Sequence, residues 1–224
     1  MASLTPKSAA TRARLIAVAE RLFAERGIEG VSLAEINRAA RQRHSNACQY
    51  HFGNKDGLVQ AILDKHVPGI STSRNALFDA MEVGGTESIA SVVRAFVRPV
   101  AAKLLDPNGG REFIRLNAQL VARHTMASQG LASSLLNVPQ ADRLGRKLRG
   151  VLAKRDLPAG LIEGRLMMAA IMLFHGLADY SRLAEAAPTV HSRADTENFV
   201  ADLERMIEVA LTAPAGAGMV AATR

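Results

Sequence analysis

The 224-residue chain is 48% hydrophobic and 22% charged. It is long enough for one sizeable core, or a small domain joined to a larger one, and too apolar for a disordered polymer. Its 28 Lys and Arg against 21 Asp and Glu leave a net charge of +7, which favours an anionic partner. A single cysteine excludes an intramolecular disulfide. The opening "MASLTPKSAATRARL" lacks the apolar core of a secretion signal. The apolar stretch Leu166 to Ala178, interrupted by His175, falls short of the roughly 20 residues that span a bilayer. The expected location is cytoplasmic.

Aromatic residues are only 4% and Trp is absent, while long periodic segments rich in Ala, Leu and Arg predict an all-α protein. A first helix is expected from about Ala9 or Thr11 to Arg26, with Leu15, Ala19, Leu22 and Phe23 on one face and Gly27 as its stop. In "VSLAEI", Ser32 and Glu35 have capping-box spacing and Val31 and Ile36 staple spacing, which starts a helix over Leu33 to Ala40. A turn from Arg41 to His44 and a helix from Ser45 to Phe52, closed by Gly53, come next. Asn54 then caps a fourth helix that Pro68-Gly69 ends or bends. Helices in this order within some sixty residues describe a helix-turn-helix module over residues 8–67.

Residues 68–212 read as a larger helical domain. Breakers at Gly84-Gly85, Pro107 to Gly110, Gly130, Pro139, Pro158 and Pro188 separate its helices. The expected helices are Thr86–Leu105 (bent at Pro99), Arg111–Thr125, Pro139–Arg155, Ala159–Glu185 and Asp195–Leu211. Residues 213–224 are rich in small residues and read as a disordered tail.

Charge and hydrogen-bonding capacity concentrate in the first module. Lys and Arg outnumber Asp and Glu by 10 to 6 in residues 1–66. Between Glu35 and Asp56 the chain holds Arg38, Arg41, Arg43 and Lys55 and no acid. The second helix of a helix-turn-helix enters the major groove, where donor and acceptor patterns distinguish base pairs. Arg43, His44, Ser45, Asn46 and Gln49 supply compact polar groups there. Tyr50, Lys55 and Ser32 suit phosphate oxygens, and His51 suits a phosphate or a local bond. Ala47, Cys48 and Phe52 can turn inward. Cys48 reads as packing, with a redox sensor as the alternative. His44 and His51 have no carboxylate or thiolate beside them to complete a zinc site, and neither a metal nor a cofactor is expected.

"TRARLIAVAERLFAERGIEGVSLAEINRAA" followed by "QYHFGNKDGLVQAIL" resembles the DNA-binding domain of the tetracycline-repressor (TetR) family of transcriptional regulators. The resemblance covers roughly residues 10 to 65 and rests on the ordered set "LFAERG", "SLAEI", "YHF" and "NKDGL". The turn is one residue longer than the family's commonest pattern, as in a subgroup with "QYHFG" in the recognition helix. Arg41 stands where the family usually has Gly. The resemblance implies a homodimer, a palindromic operator on double-stranded DNA, and repression relieved by a small molecule.

In the larger domain, Phe113, Asn117, Leu120 and His124 share a helical face, and Met168, Met172 and His175 lie on a later helix. Together they can line an apolar effector cavity with a few polar groups. The competing reading is a core whose Asn and His are satisfied by backbone, and for His175 also a dimer contact. The helix Ala159–Glu185 is apolar on nearly all sides, so it needs cover on two faces. Leu173 and Leu177, with Phe199, Leu203, Ile207 and Leu211 of the last helix, are the expected dimer contacts in a four-helix bundle. The basic run Arg143, Arg146, Lys147, Arg149, Lys154 and Arg155 is a solvated face or a contact for an acidic ligand such as a coenzyme A thioester. No Gly-rich phosphate loop, metal cluster or Ser/His/Asp set argues for an enzyme. A non-regulatory DNA-associated protein of the same fold is the remaining alternative.

Overall fold

The computed structural model describes residues 5–44, 46–126, 141–155, 157–187 and 192–215, with the side chains of 124–126 and 141–142 excepted. Ser45, the side chain of His124, and residues 216–224 of the tail lie outside the described residues. The helices are α1 (Pro6–Arg26), α2 (Leu33–Ala39), α3 (Ala47–Phe52), α4 (Lys55–Gly84), α5 (Ile89–Ala101), α6 (Gly110–Met126), α7 (Ala141–Ala153), α8 (Ala159–Ala186) and α9 (Arg193–Thr212). A 3₁₀ turn, Ala102–Leu105, extends α5. No strand occurs among the described residues, and the protein is all-α.

α1 begins a turn or more earlier than its apolar periodicity suggests. Thr5 caps it, its hydroxyl accepting from the Ser8 amide at 3.3 Å, and Pro6 follows in the first turn, where a missing N–H costs nothing. α4 runs on through Pro68 to Gly84, across the boundary read at residues 67/68, so the reading head and the larger domain share one helix. Pro68 is exposed, and the carbonyl its ring leaves unpaired can turn to water. Gly85, left-handed at φ 59°, ends α4, and a Ser88–Ser91 capping box starts α5.

One continuous core joins the two parts. It runs from Leu15, Phe23 and Ile36 through Leu58 and Ile62 to Phe113, Leu116 and Leu173. α6 packs along α8 and across α1, and α9 packs on both α5 and α8.

That packing places two sets of expected contact residues. Leu173, Leu177, Leu203, Ile207 and Leu211 are buried within the single chain. Phe199 is half-buried and stacks on Tyr180 of the same chain at 4.2 Å. The apolar stripe of α9 is consumed by α5 and α8, helped by Arg98 of α5 pairing with Glu197 and Glu204. On these two helices the large apolar residues left exposed, among those described, are Met168 and Leu183 of α8 and Met206 and Val209 of α9.

Similarly, Phe113, Asn117 and Leu120 are buried, and the Asn117 amide donates to the Phe113 carbonyl at 2.8 Å. This is a core asparagine satisfied by its own helix. Met168 is exposed and His175 half-buried on the α8 face opposite Leu173 and Leu177, and half-buried Met172 packs against the core from the flank. Among the described residues, Phe113, Asn117 and Leu120 thus face the core, while Met168 faces outward.

α8 is longer than its most apolar stretch, and by length and composition it could cross a membrane, with 28% of its most apolar window buried. Its Arg165 donates to the Leu211 carbonyl at 2.7 Å, tying α8 to the end of α9. Within the basic run, Arg143 pairs with Asp79 and Glu82, Lys147 with Glu82 and Glu87, and Arg149 with Glu163. Three of the six cations expected to face solvent or an acidic ligand are thus matched internally.

Candidate nucleic-acid interface

The interface is built on the capping box that opens α2. The Ser32 hydroxyl accepts from the Glu35 amide at 3.2 Å, and Glu35 accepts from the Ser32 amide at 2.8 Å and its hydroxyl at 2.9 Å. Arg26, at the end of α1, donates to the other oxygen of Glu35 at 2.8 Å. The Ser32 amide, the Arg26 guanidinium and the Ser32 hydroxyl together hold the Glu35 carboxyl down to about 2. Ser32 is therefore already engaged by an ionised carboxylate, which competes with any phosphate at this helix start.

The turn between α2 and α3 is set by Arg41 and Asn37. Arg41 adopts φ 52°, the left-handed conformation that Gly usually supplies. The long turn therefore reverses at Arg41 without a glycine, and its cation is exposed. Asn37 is buried, its backbone carbonyl accepting from the Gln42 amide and its side-chain oxygen from the Cys48 amide at 2.9 Å. One residue of α2 thereby fixes both the turn and the first turn of α3. Sequence reading missed Asn37; its only signal is a short polar side chain facing inward on an amphipathic helix.

α3 is short, and its faces divide cleanly. Cys48 is buried, with Ala47 and Phe52 packed against the core. Asn46, Gln49 and Tyr50 point outward, Tyr50 at 84% exposure, and Asn46 caps the helix with its backbone alone, leaving its amide without a capping bond. His51 is half-buried. Desolvation, and then the charge of Arg12, push its pKa below the usual histidine value, so it presents a neutral imidazole. Arg12 also lies over the Phe52 ring at 5.2 Å.

Burial raises the Cys48 thiol to about 11, so at neutral pH it is protonated and a poor nucleophile. Native protein at neutral pH should label with a thiol reagent far more slowly than unfolded protein, measured by Ellman absorbance with and without urea. Equal rates would revive the redox-sensor alternative.

Beside α3 lies a groove of about 800 Å³ between the start of α1 and the turn, bordered by Lys7, Arg14, Arg41, Arg43 and His44 together with Tyr50. Lys7 and Arg14 were not expected here; Lys7 joins the site because α1 starts at Pro6, and Arg14 because the start of α1 borders the turn. Lys55 is placed differently. Its ammonium donates to the Ile28 carbonyl at 2.9 Å and sits 3.8 Å from the Glu29 carboxylate, bracing the loop between α1 and α2. The structure thus brings Arg43, His44, Asn46, Gln49 and Tyr50 to one surface, with His51 at its edge and Ser32 and Lys55 in bracing roles.

The comparisons with known proteins match this same part of the molecule. Residues 15–62 match the model of "Bacterial regulatory proteins, tetR family". Over 54 residues the chain is 46% identical to the HTH-type transcriptional regulator TtgR of Pseudomonas putida, and to the probable HTH-type transcriptional regulator ArpR of the same species. Each match covers 24% of this chain and 25% of the relative, so it spans about a quarter of either length. A solved structure concerned with control of antibiotic production by bacterial hormones aligns with 94% of this chain and 100% of its own, at 21% identity and a TM-score of 0.44. From the third turn of α1 to the early turns of α4, then, the chain is similar to the N-terminal domain of the tetR family of bacterial regulatory proteins.

Proposed function

We propose that this chain is a cytoplasmic transcriptional regulator, a repressor that reads a palindromic operator as a homodimer and is released by a small, largely apolar effector. The observation that carries the DNA reading is the outward face of α3. Asn46, Gln49 and Tyr50 stand clear of the core on a helix pinned from behind by Asn37 and Cys48, beside a basic groove. Amide side chains there can pair with base edges, while Lys7, Arg14 and Arg43 take phosphates.

Dimerisation is supported by the apolar side chains exposed on α8 and α9, which a second copy would cover in a four-helix bundle. A dyad-related pair of reading heads then meets two half-sites about one helical turn, ~34 Å, apart or somewhat more. The effector reading follows from the resemblance of the first sixty residues and from the direct packing of α6 on α1. An effector that releases DNA must bind the free protein more tightly than the DNA-bound one, by the factor through which it weakens operator affinity.

Footprinting and salt titration test the DNA reading. Asn46→Ala and Gln49→Ala should each cost on the order of 1–3 kcal/mol of operator affinity and blur preference at particular base pairs. Lys7→Ala and Arg14→Ala should weaken binding to all duplexes alike and each lower the salt slope by about one. Equal affinity of the wild type for operator and random duplex at physiological salt would overturn the reading.

A further inference from the structure

α6 grips the reading head directly. Gln119, near the middle of α6, reaches across to the end of α1 and makes two hydrogen bonds there. Its side-chain oxygen accepts from the Ile28 amide at 2.9 Å, and its side-chain nitrogen donates to the Phe23 carbonyl at 2.8 Å. The amide fits in one orientation only, because the reverse would set like against like at both ends. Phe23 and Ile28 flank Gly27, the left-handed stop of α1 at φ 82°, so the fork spans the whole helix terminus. Phe23 and Ile28 are both buried, and the Phe23 carbonyl accepts from the Gly27 amide at 3.0 Å as well as from Gln119. One turn further along α6, Arg123 pairs with Glu29 at 3.0 Å.

A second tie holds the other side of α1. The buried carboxylate of Glu20 is bridged by Lys65 at 2.7 Å and by His66 at 2.8 Å, both from α4. The His66 ring lies 4.7 Å from the Phe113 ring of α6, and its far nitrogen faces Asp106 at 3.9 Å. Gly109, just before α6, comes so close that a Cβ there would lie 2.4 Å from Glu20. α1 is therefore tied to α4 at Glu20 and to α6 at its end, while α3 packs on α2 and α4.

We infer that Gln119 is a positioning residue for operator reading: its fork fixes the angle of the reading head against α6, and so sets the half-site spacing that the dimer accepts. The inference rests on the proposal of a dimeric reader. α6 is fixed to the larger domain by packing on α8 and by Arg115, which bonds Ser181 and Glu185. A rotation of the head about α4 alone would break the fork. With the fork intact, the distance between the two recognition helices follows from the dimer contact; without it, the head can pivot.

The test is a set of operator duplexes with the half-sites moved together or apart by one base pair, plus a duplex carrying a single half-site. Wild type should prefer its own spacing by roughly tenfold. Gln119→Leu should flatten that preference to within about twofold while leaving single-half-site affinity near wild type. Gln119→Asn keeps the amide but is one methylene too short for the fork, so it serves if leucine compromises folding; it should flatten the preference too. A merely structural role would lower melting temperature and affinity at every spacing alike. Full spacing preference in both folded variants would overturn the inference. A wild-type protein indifferent to spacing would bring down the dimeric-reader proposal, and this inference with it.

Discussion

Leu203→Glu and Ile207→Glu are expected to unfold the chain, whereas Met206→Glu and Val209→Glu leave it folded and monomeric. Leu203 is 6% exposed and Ile207 fully buried, against α5 and α8. The α8–α9 approach is close: a Cβ on Gly176 of α8 would lie 3.5 Å from the Leu203 side chain. A glutamate at 203 or 207 would carry an unpaired carboxylate into that contact, at a cost of several kcal/mol against a net stability of about 5–15 kcal/mol. Met206 and Val209, at 55% and 67% exposure, occupy the opposite face of α9. A charge there stays solvated in the single chain and is desolvated only when a second copy covers the face. Thermal unfolding and sedimentation at micromolar concentration separate the two classes. A folded monomer from Ile207→Glu would return the buried stripe to the subunit interface, and a stable dimer from both surface variants would move the interface off α9.

The same helices show why some of the molecule was legible in the sequence and some was not. The capping box at Ser32 and Glu35, the stop at Gly53 and the cap at Asn54 are local signals, and each lies where the sequence reading put it. The start of α1 was also written locally, in Thr5-Pro6, but it lies before the apolar periodicity that defined the helix. α8 is different in kind. A helix apolar on nearly all sides has no favoured face, so nothing local says which side meets its own domain. Leu173 and Leu177 turned inward, and Met168 and His175 fell on the opposite face, a division that only the placed helices decide. The Glu20–His66 tie and the Gln119 fork join residues 46 and up to 96 positions apart. Neither pairing leaves a local signal in the sequence, because its partners meet only once the helices are placed.

Gly57→Ala is expected to disable operator reading while the larger domain stays folded. Gly57 lies in the first turn of α4, its amide donating to the Asn54 cap at 2.8 Å. A Cβ on it would fall 2.0 Å from the Phe52 carbonyl oxygen and 3.1 Å from its carbon. The clash is with backbone, so no rotamer change relieves it; either α4 must back away from the end of α3 or the last turn of α3 must open. Overpacking of this kind costs about 1–3 kcal/mol. Here it falls on a six-residue helix that is too short to hold itself together without tertiary support. Amides of α3 should lose hydrogen-exchange protection before those of α6 and α8, and operator affinity should fall further than global stability does. Gly69→Ala in the same helix is the control. Nothing lies within 4 Å of a Cβ at position 69, so alanine there should stabilise by up to ~1 kcal/mol through helix propensity alone. Opposite signs for two glycines of one helix separate close approach from backbone freedom. Wild-type operator affinity and unchanged α3 protection in Gly57→Ala would mean that the α3–α4 junction tolerates a shift that this geometry forbids.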